Sequence, residues 1–355
     1  MGRFEKLFGI LPDNVESVLI TSDVNRRYFT GMKSSAGVVL AFRNKAYLLI
    51  DFRYIEKARE TVKTAEVVES KELYKEINAL LRQHGVRNMA IESQDVTVSR
   101  LNAMKKNLKC VEIIETDVLS NAINKLRMIK DEEELGYIRK AQEIAESAFE
   151  EILGFIKEGV TEREIALELD CLMLEKGAEG ISFDTIALAG ENTSMPHGVP
   201  SDKKVQKGEF VLMDFGAVYN GYHSDMTRTV CVGEPDEEMV KIYNIVLEAQ
   251  QAAIEAAKAG ITGAELDAVA RRHICDAGYG EYFGHSLGHG VGLDIHEMPN
   301  AAPRFEKKLE KDTVITIEPG IYIAGKFGVR IEDFVILTEN GCINLTKSAK
   351  NIISL

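Results

Sequence analysis

Val211-Leu212-Met213-Asp214-Phe215-Gly216 and Val314-Ile315-Thr316-Ile317-Glu318-Pro319-Gly320 read as short apolar strands ending at a glycine, each with one carboxylate near its end. A bare carboxylate among apolar side chains carries a large desolvation cost unless something positive compensates it. The two stretches echo one another: Asp214 matches Glu318 and Gly216 matches Gly320, an offset of 104. A further acid follows each, Asp225 eleven residues after Asp214 and Glu332 fourteen after Glu318. Between the pairs lies the run Gly284-His285-Ser286-Leu287-Gly288-His289-Gly290-Val291-Gly292. Four acids and a histidine among apolar strands are best explained by bound metal.

The echo extends upstream. Gly159-Val160-Thr161-Glu162-Arg163-Glu164 resembles Gly260-Ile261-Thr262-Gly263-Ala264-Glu265 at an offset of 101. Each holds the Thr-x-x-Glu capping box that opens a helix. Each follows a long helix, expected over 132–157 in one case and about 236–259 in the other. Acids Glu132, Glu133 and Glu134 crowd the first turn of the earlier helix, where the helix dipole favours them, and Leu135, Ile138, Ala141, Ile144 and Ala145 recur at helical spacing. Helix, capped helix, then acidic strand occurs twice in the same order. A period this long, seen twice, indicates internal duplication, with two similar halves facing each other across one site.

The first third reads differently. Val18-Leu19-Ile20, residues 37–42 and residues 46–50 are expected strands, the last two joined into a hairpin through Arg43-Asn44-Lys45. Further strands are expected at 67–68, 89–91 and 111–114, with helices near 53–61, 71–84 and 97–108. This describes a small mixed α/β domain over residues 1–122, followed by a larger domain over 123–355.

A chain of 355 residues suits two domains. Its Asp and Glu outnumber Lys and Arg by 56 to 43, giving a net charge of −13, which argues against a nucleic-acid partner, whose phosphates need basic patches. No apolar run approaches the roughly 18 residues of a membrane span, and the amino terminus leads to no apolar signal-peptide core. The five cysteines are scattered and lack Cys-x-x-Cys spacing. They read as reduced residues of a cytoplasmic protein, and a thiolate metal site is not expected.

Charge supports the metal reading. Asp214, Asp225, Glu318 and Glu332 sum to −4, and two divalent cations supply +4. Paired metals about 3.5–4 Å apart need carboxylates around them. An oxygen-rich set favours manganese, while cobalt, iron or zinc could occupy it. Each acid taken singly has an ordinary alternative. Asp214 could form a turn, Glu332 could pair with Arg330 on a solvated edge, and Asp225 could cap a turn. The joint, duplicated pattern is what those alternatives fail to cover.

Among the histidines, His84 at a polar helix end and His273 beside Arg271 and Arg272 read as structural. His197 lies in the proline-framed loop Met195-Pro196-His197-Gly198-Val199-Pro200, and His285, His289 and His296 lie in a glycine-rich segment where backbone can approach a ligand closely. Two motif matches are set aside. Gly284-His285-Ser286-Leu287-Gly288 fits the G-x-S-x-G pattern but lacks a preceding strand, a following helix and a distant downstream histidine. Gly288-His289-Gly290-Val291-Gly292 lacks the third glycine and the helix of a dinucleotide loop.

These blocks closely resemble metallopeptidase family M24, the pita-bread fold of methionine aminopeptidase, Xaa-Pro aminopeptidase, Xaa-Pro dipeptidase (prolidase) and creatinase. The resemblance covers nearly the whole chain and rests on Met213-Asp214-Phe215-Gly216, Ser224-Asp225-Met226-Thr227-Arg228-Thr229, Gly288-His289-Gly290-Val291-Gly292, Glu318-Pro319-Gly320 and Arg330-Ile331-Glu332-Asp333. It implies an α+β pita-bread catalytic domain with pseudo-twofold duplication. The implied ligands of two divalent metal ions are Asp214, Asp225, His289, Glu318 and Glu332. Asn25-Arg26-Arg27-Tyr28-Phe29-Thr30-Gly31 and Asp51-Phe52-Arg53-Tyr54 resemble the creatinase/prolidase amino-terminal domain, which typical methionine aminopeptidases do not carry. Residues 126–133 resemble the family's entry into the catalytic domain.

The implied activity is hydrolysis of the bond between an amino-terminal residue and proline, on short proline-containing peptides or dipeptides. The implied chemistry is a metal-bridging hydroxide with Glu318 as general base. His197 and His296 match histidines that contact substrate, Arg330 matches an arginine that either holds the metal-binding acids or meets a substrate carboxylate, and His285 matches a supporting histidine. The resemblance also implies a homodimer, with the amino-terminal domain near the partner's active site. Aminopeptidase and dipeptidase remain open at this level. So do a methionine aminopeptidase-like or other specificity within the family and a non-catalytic binding protein on the same fold.

Overall fold

A computed structural model describes residues 2–355 of the chain, which divides into two compact units, Met1–Arg127 and Met128–Leu355. The division falls one residue before the end of a helix, Val118–Met128.

The first unit is built on a six-stranded mixed sheet. Its strands are β1 (Ser17–Ile20), β2 (Val38–Phe42), β3 (Lys45–Ile50), β4 (Glu66–Glu69), β5 (Asn88–Ile91) and β6 (Glu112–Ile114), in the order β4-β3-β2-β1-β5-β6. The expected hairpin is present: β2 and β3 pair antiparallel with Phe42 opposite Lys45, leaving Arg43-Asn44 as the turn. Helices α3 (Ile55–Thr61), α4 (Leu73–His84) and α5 (Val98–Asn107) follow the sequence expectation closely. Three helices were not anticipated: Val118–Met128, α1 (Arg3–Ile10) and α2 (Asp23–Thr30). Helix α2 is bounded by signals that sequence does contain, since the Ser22 side chain accepts from Asn25 N and Gly31 closes the helix at φ 72°. The last helix, α6, is Val118–Met128. His84 is structural as expected: it stacks on Phe42 and bonds the Tyr47 hydroxyl at 3.0 Å.

The second unit holds the duplication. Helix α7 (Glu132–Ile152) packs on α8 (Glu162–Glu175), and α9 (Glu237–Ala256) packs on α10 (Gly263–Asp276). Asp131, Thr161 and Thr262 each close a capping box, with Glu134, Glu164 and Glu265 as partners. His273 bonds Glu248 at 3.2 Å on the α10 surface.

Small strands β7 (Gly180–Ile181), β10 (Ala217–Tyr219) and β11 (Tyr222–His223) form one sheet, and β8 (Ile186–Ala189), β9 (Glu209–Phe215) and β12 (Met226–Val232) form another, ordered β12-β9-β8. In the second half, β13 (Gly288–Gly290), β14 (Glu297–Ala301), β15 (Val314–Ile317), β18 (Asp333–Leu337) and β19 (Cys342–Asn344) form the sheet β14-β13-β15-β18-β19. A separate hairpin joins β16 (Gly320–Ile323) to β17 (Phe327–Arg330).

Backbone contacts show how closely the halves repeat. Gly159 N bonds Val205 O at 2.9 Å and Gly260 N bonds Leu309 O at 2.8 Å. Arg163 N bonds Ser201 O at 3.1 Å and Ala264 N bonds Phe305 O at 2.8 Å. The antiparallel trio β8-β9-β12 therefore corresponds to β13-β15-β18. Each half buries its own apolar cluster, one around Ala148, Phe149, Leu169, Met213 and Phe215, the other around Val246, Leu266, Ile315, Ile317 and Val335. Such burial, at roughly 25 cal/mol per Å² of apolar surface, supplies the main driving force holding helices on sheets.

No helix among the described residues is long and apolar enough to cross a membrane.

Candidate metal centre

The duplicated sheets deliver the acids by one device used twice. Asp214 sits near the end of the central strand β9, and Glu318 follows the central strand β15 directly. Asp225 immediately precedes β12, and Glu332 immediately precedes β18, the third strand of each trio. His289 lies on β13. Gly290 pairs with Ile315 and Ala189 pairs with Val211, so the first half has Leu188 where the second has His289. The donor set is accordingly two residues from one half and three from the other.

All five predicted ligand side chains converge. Ligand-type atoms of Asp225, His289 and Glu332 lie within 4.8 Å of one another. His289 Nε2 is 3.5 Å from Asp225 Oδ2 and 3.4 Å from Glu318 Oε1. Its Nδ1 lies 3.1 Å from Gly290 O, an oxygen that only accepts. Nδ1 therefore carries the proton, and Nε2 turns a lone pair towards two carboxylate oxygens. Acceptors facing acceptors are repulsive unless a cation lies among them.

The carboxylates repeat that message. One oxygen of Asp214 accepts from Arg330 Nη2 at 2.5 Å, and one oxygen of Glu332 accepts from Thr227 Oγ1 at 2.7 Å. The other oxygens, Asp214 Oδ1 and Glu332 Oε1, are buried with no hydrogen-bond partner. Buried carboxylate oxygens rarely stay unpaired. Burial, reinforced by the neighbouring Asp214 and Glu318, holds the Asp225 carboxyl well above the usual range. Burial, with Asp225 and Glu318 beside it, does the same to Glu332. Burial pushes Glu318 up to about 7, against the charge of Arg330. Paired divalent cations fit this donor set: they satisfy the orphan oxygens and reverse the repulsion.

A hydrogen-bonded frame stands behind the ligands. Arg330, 2% exposed, sends Nη2 to Asp214, Nε to Thr227 Oγ1 at 2.9 Å, and Nη1 to the Tyr322 hydroxyl at 2.9 Å and Pro196 O at 3.4 Å. Burial opposes its charge, but Tyr322, Asp214, Glu318 and Glu332 raise its pKa beyond the ordinary arginine value. Tyr322 OH, having accepted from Arg330, donates to His285 Nε2 at 2.9 Å, while His285 Nδ1 donates to Ser286 O at 2.8 Å. Burial and the nearby Arg330 charge push His285 down to about 4, so it is neutral. Burial pushes the Tyr322 hydroxyl up to about 12. Thr316 repeats the role of Thr227, donating to Glu318 Oε1 at 3.0 Å and accepting from His289 N at 3.0 Å.

His296 reaches the same place, its ring centroid 4.4 Å from that of His289. Burial, then the adjacent His289, lowers its pKa. His197 follows Pro196, whose carbonyl Arg330 holds, and lies close enough to interact electrostatically with Glu318, His285 and His296. Every site residue read from sequence is thus gathered here.

Thr227, Thr316 and Tyr322 were not singled out from sequence. A signal existed for the threonines. Asp225 and Thr227, like Thr316 and Glu318, are two residues apart along extended chain and share a face. His223 also escaped notice; it bonds Ser182 Oγ at 2.8 Å, and burial lowers its pKa. The two discarded motifs stay discarded. Ser286 is followed by strand β13, and that strand pairs with β14 and β15 where a dinucleotide loop would open a helix.

Comparison with known proteins agrees with this geometry. Residues 136–339 match the model of metallopeptidase family M24, and residues 12–129 match the creatinase/prolidase N-terminal domain. The Xaa-Pro dipeptidase of Pyrococcus furiosus is 43% identical over 353 residues, covering 99% of each chain. Among solved structures, the Xaa-Pro dipeptidase from Bacillus anthracis superposes with a TM-score of 0.96 at 42% identity, over 99% of each chain. The X-Pro aminopeptidase from Thermotoga maritima gives 0.93 at 39% identity, over 99% of this chain and 100% of that one. With its carboxylate-rich centre intact, the chain belongs to metallopeptidase family M24 and carries the creatinase/prolidase N-terminal domain.

Proposed function

We propose that the protein is a dimetal Xaa-Pro exopeptidase of the prolidase kind, hydrolysing dipeptides in which proline follows the amino-terminal residue. One observation carries the reading: Asp214, Asp225, His289, Glu318 and Glu332 converge with two carboxylate oxygens buried and unpaired. The 43% identity to a Xaa-Pro dipeptidase along 99% of both chains supports the substrate class.

Asp214, Asp225, His289, Glu318 and Glu332 would hold the metals, and the oxygen-rich set favours manganese. Two divalent ions bound there would acidify water and polarise the scissile carbonyl. Glu318 would take the proton of the attacking water and deliver it to the leaving proline nitrogen. Its place among the proposed ligands, with Oε1 3.4 Å from His289 Nε2, supports that role. His296 and His197 would contact substrate and donate to the oxygen on which charge develops. Arg330 would hold Asp214 in place while Thr227 holds Glu332, and His285 would fix the Tyr322 hydroxyl on Arg330. The resemblance also supports a homodimer, which sedimentation would check. Five free cysteines suit the reducing cytoplasm.

The test is a manganese-supplemented panel of Ala-Pro, Ala-Pro-Gly-Gly and Met-Ala. Turnover of Ala-Pro, abolished by chelator and far exceeding that of the tetrapeptide, is the expected result. Preference for the tetrapeptide would make the enzyme an aminopeptidase, as the name of the Thermotoga relative reads. Release of methionine alone would overturn the proline specificity.

A further inference from the structure

The two halves dock their capped helices through equivalent backbone bonds, yet diverge at one side chain. Where the second half has Gly263, the first has Glu162. Glu162 is completely buried. Its Oε1 accepts from Ala189 N at 2.8 Å and Asn192 Nδ2 at 2.9 Å, and its Oε2 accepts from Ser201 N at 3.0 Å and Ser201 Oγ at 2.6 Å. These partners are the two ends of one segment, residues 189–201, which carries Pro196 and His197. At Gly263 nothing of the kind is possible, because an added Cβ would lie 2.0 Å from Asn300 O and 2.8 Å from the Phe305 ring. There the loop packs directly on helix backbone.

A buried carboxylate is costly unless its oxygens are satisfied, and here four donors satisfy both. None of the four belongs to the metal centre. Other bonds hold the segment too: Ala189 pairs with Val211, Lys203 Nζ donates to Ala189 O at 3.0 Å, Arg163 N donates to Ser201 O at 3.1 Å, Gly328 N donates to Thr193 Oγ1 at 2.7 Å, and Arg330 reaches Pro196 O at 3.4 Å. Val199, at 82% exposed, and Met195, at 47%, pack against little. What Glu162 adds is a direct link between the two feet, with one carboxylate oxygen on each.

We propose that Glu162 is a positioning residue for His197. By tying residue 189 to residue 201 it fixes the loop that presents the imidazole to substrate. This rests on the reading of His197 as a substrate-contacting residue. Glu162→Gln keeps the shape but turns an amide donor towards one pair of donors, so one foot is released. Misplacement of about 1 Å costs about 100-fold in rate, and Glu162→Gln is expected to lower kcat on Ala-Pro about 10- to 100-fold. Manganese affinity by calorimetry should stay at the wild-type value, and amide exchange should accelerate over residues 190–200 while β9 stays protected.

The decisive measurement is a double-mutant cycle with His197→Ala. If Glu162 acts through His197, Glu162→Gln causes no further loss in the His197→Ala background. Multiplying losses, or manganese affinity falling together with kcat, would overturn the proposal. Wild-type exchange at 190–200 would overturn it as well. A fully active His197→Ala would instead remove the role given to His197, while exchange would still report whether Glu162 holds the loop. Ser201→Ala, which deletes one donor and leaves the carboxylate, is the milder second variant. It should show the same changes at smaller size, and no change in exchange would count against the proposal.

Discussion

Arg330 and Thr227 show how single side chains turn acids into metal ligands. Arg330 Nη2 occupies one oxygen of Asp214, its Nε bonds Thr227 Oγ1, and that hydroxyl donates to one oxygen of Glu332. Two carboxylates 118 positions apart in sequence are thereby oriented by one three-atom relay, and each keeps its second oxygen free. Asp214→Asn keeps the shape and removes the charge. It should lower manganese affinity by at least about tenfold and activity by at least about 100-fold, with an unchanged circular-dichroism spectrum. Full activity with metal bound would strike Asp214 from the ligand set. The ligand residues themselves were legible, because an acid at the end of an apolar strand is costly by itself. Thr227 and Tyr322 were not, because a threonine or tyrosine in a strand is ordinary until its hydroxyl is seen to bridge an arginine to an acid or a histidine.

At the scale of elements, the capped helices α8 and α10 hold the loops that follow β8 and β14. Thr161 and Thr262 stop the preceding connections in the same way, and each following helix receives the loop that returns from a β-strand. The sequence carries this repeat openly through Thr-x-x-Glu. It does not reveal that the residue after each threonine serves opposite ends, a clamping carboxylate in one half and a bare backbone in the other. Gly263 has an ordinary helical conformation, so its requirement is space alone. Gly263→Ala should destabilise the protein by about 1–3 kcal/mol through overpacking against Asn300, read from the urea midpoint at unchanged slope. Wild-type stability would mean that the Asn300 loop yields freely.

For the whole molecule, the cluster links stability to metal and pH. Burial raises the folded-state pKa of Glu318 from 4.5 to about 7, and those of Asp225 and Glu332 are raised as well. The metal-free fold then holds protons that the unfolded chain releases, so Glu318 withdraws stability as pH climbs from 4.5 through 7, and Asp225 and Glu332 act in the same direction. His285 has the opposite sign: lowered from 6.5 to about 4, it withdraws stability as pH falls across that interval. Cation binding displaces the carboxylate protons. The rise in Tm on adding saturating manganese to chelator-stripped protein should therefore be larger at pH 7.5 than at pH 5.5. Binding at 100 times Kd is worth about 2.7 kcal/mol, enough to read by calorimetry. An increment that is equal at both values, or reversed, would contradict the protonation scheme.

What sequence determined was local or periodic: the acid-bearing strands, the capping boxes, the duplicated order and the hairpin of the first unit. Each follows from desolvation, backbone satisfaction or side-chain alternation within a few residues, so it survives without knowledge of distant partners. Tertiary structure alone decided that β13 stands where β8 does, pairing His289 with the place of Leu188, and that Glu162 reaches both ends of the His197 loop. It also decided which oxygen of each acid is taken by protein and which is left for metal. Those outcomes depend on hydrogen-bond directions between segments a hundred or more residues apart, and residue spacing along the chain carries no information about direction across it.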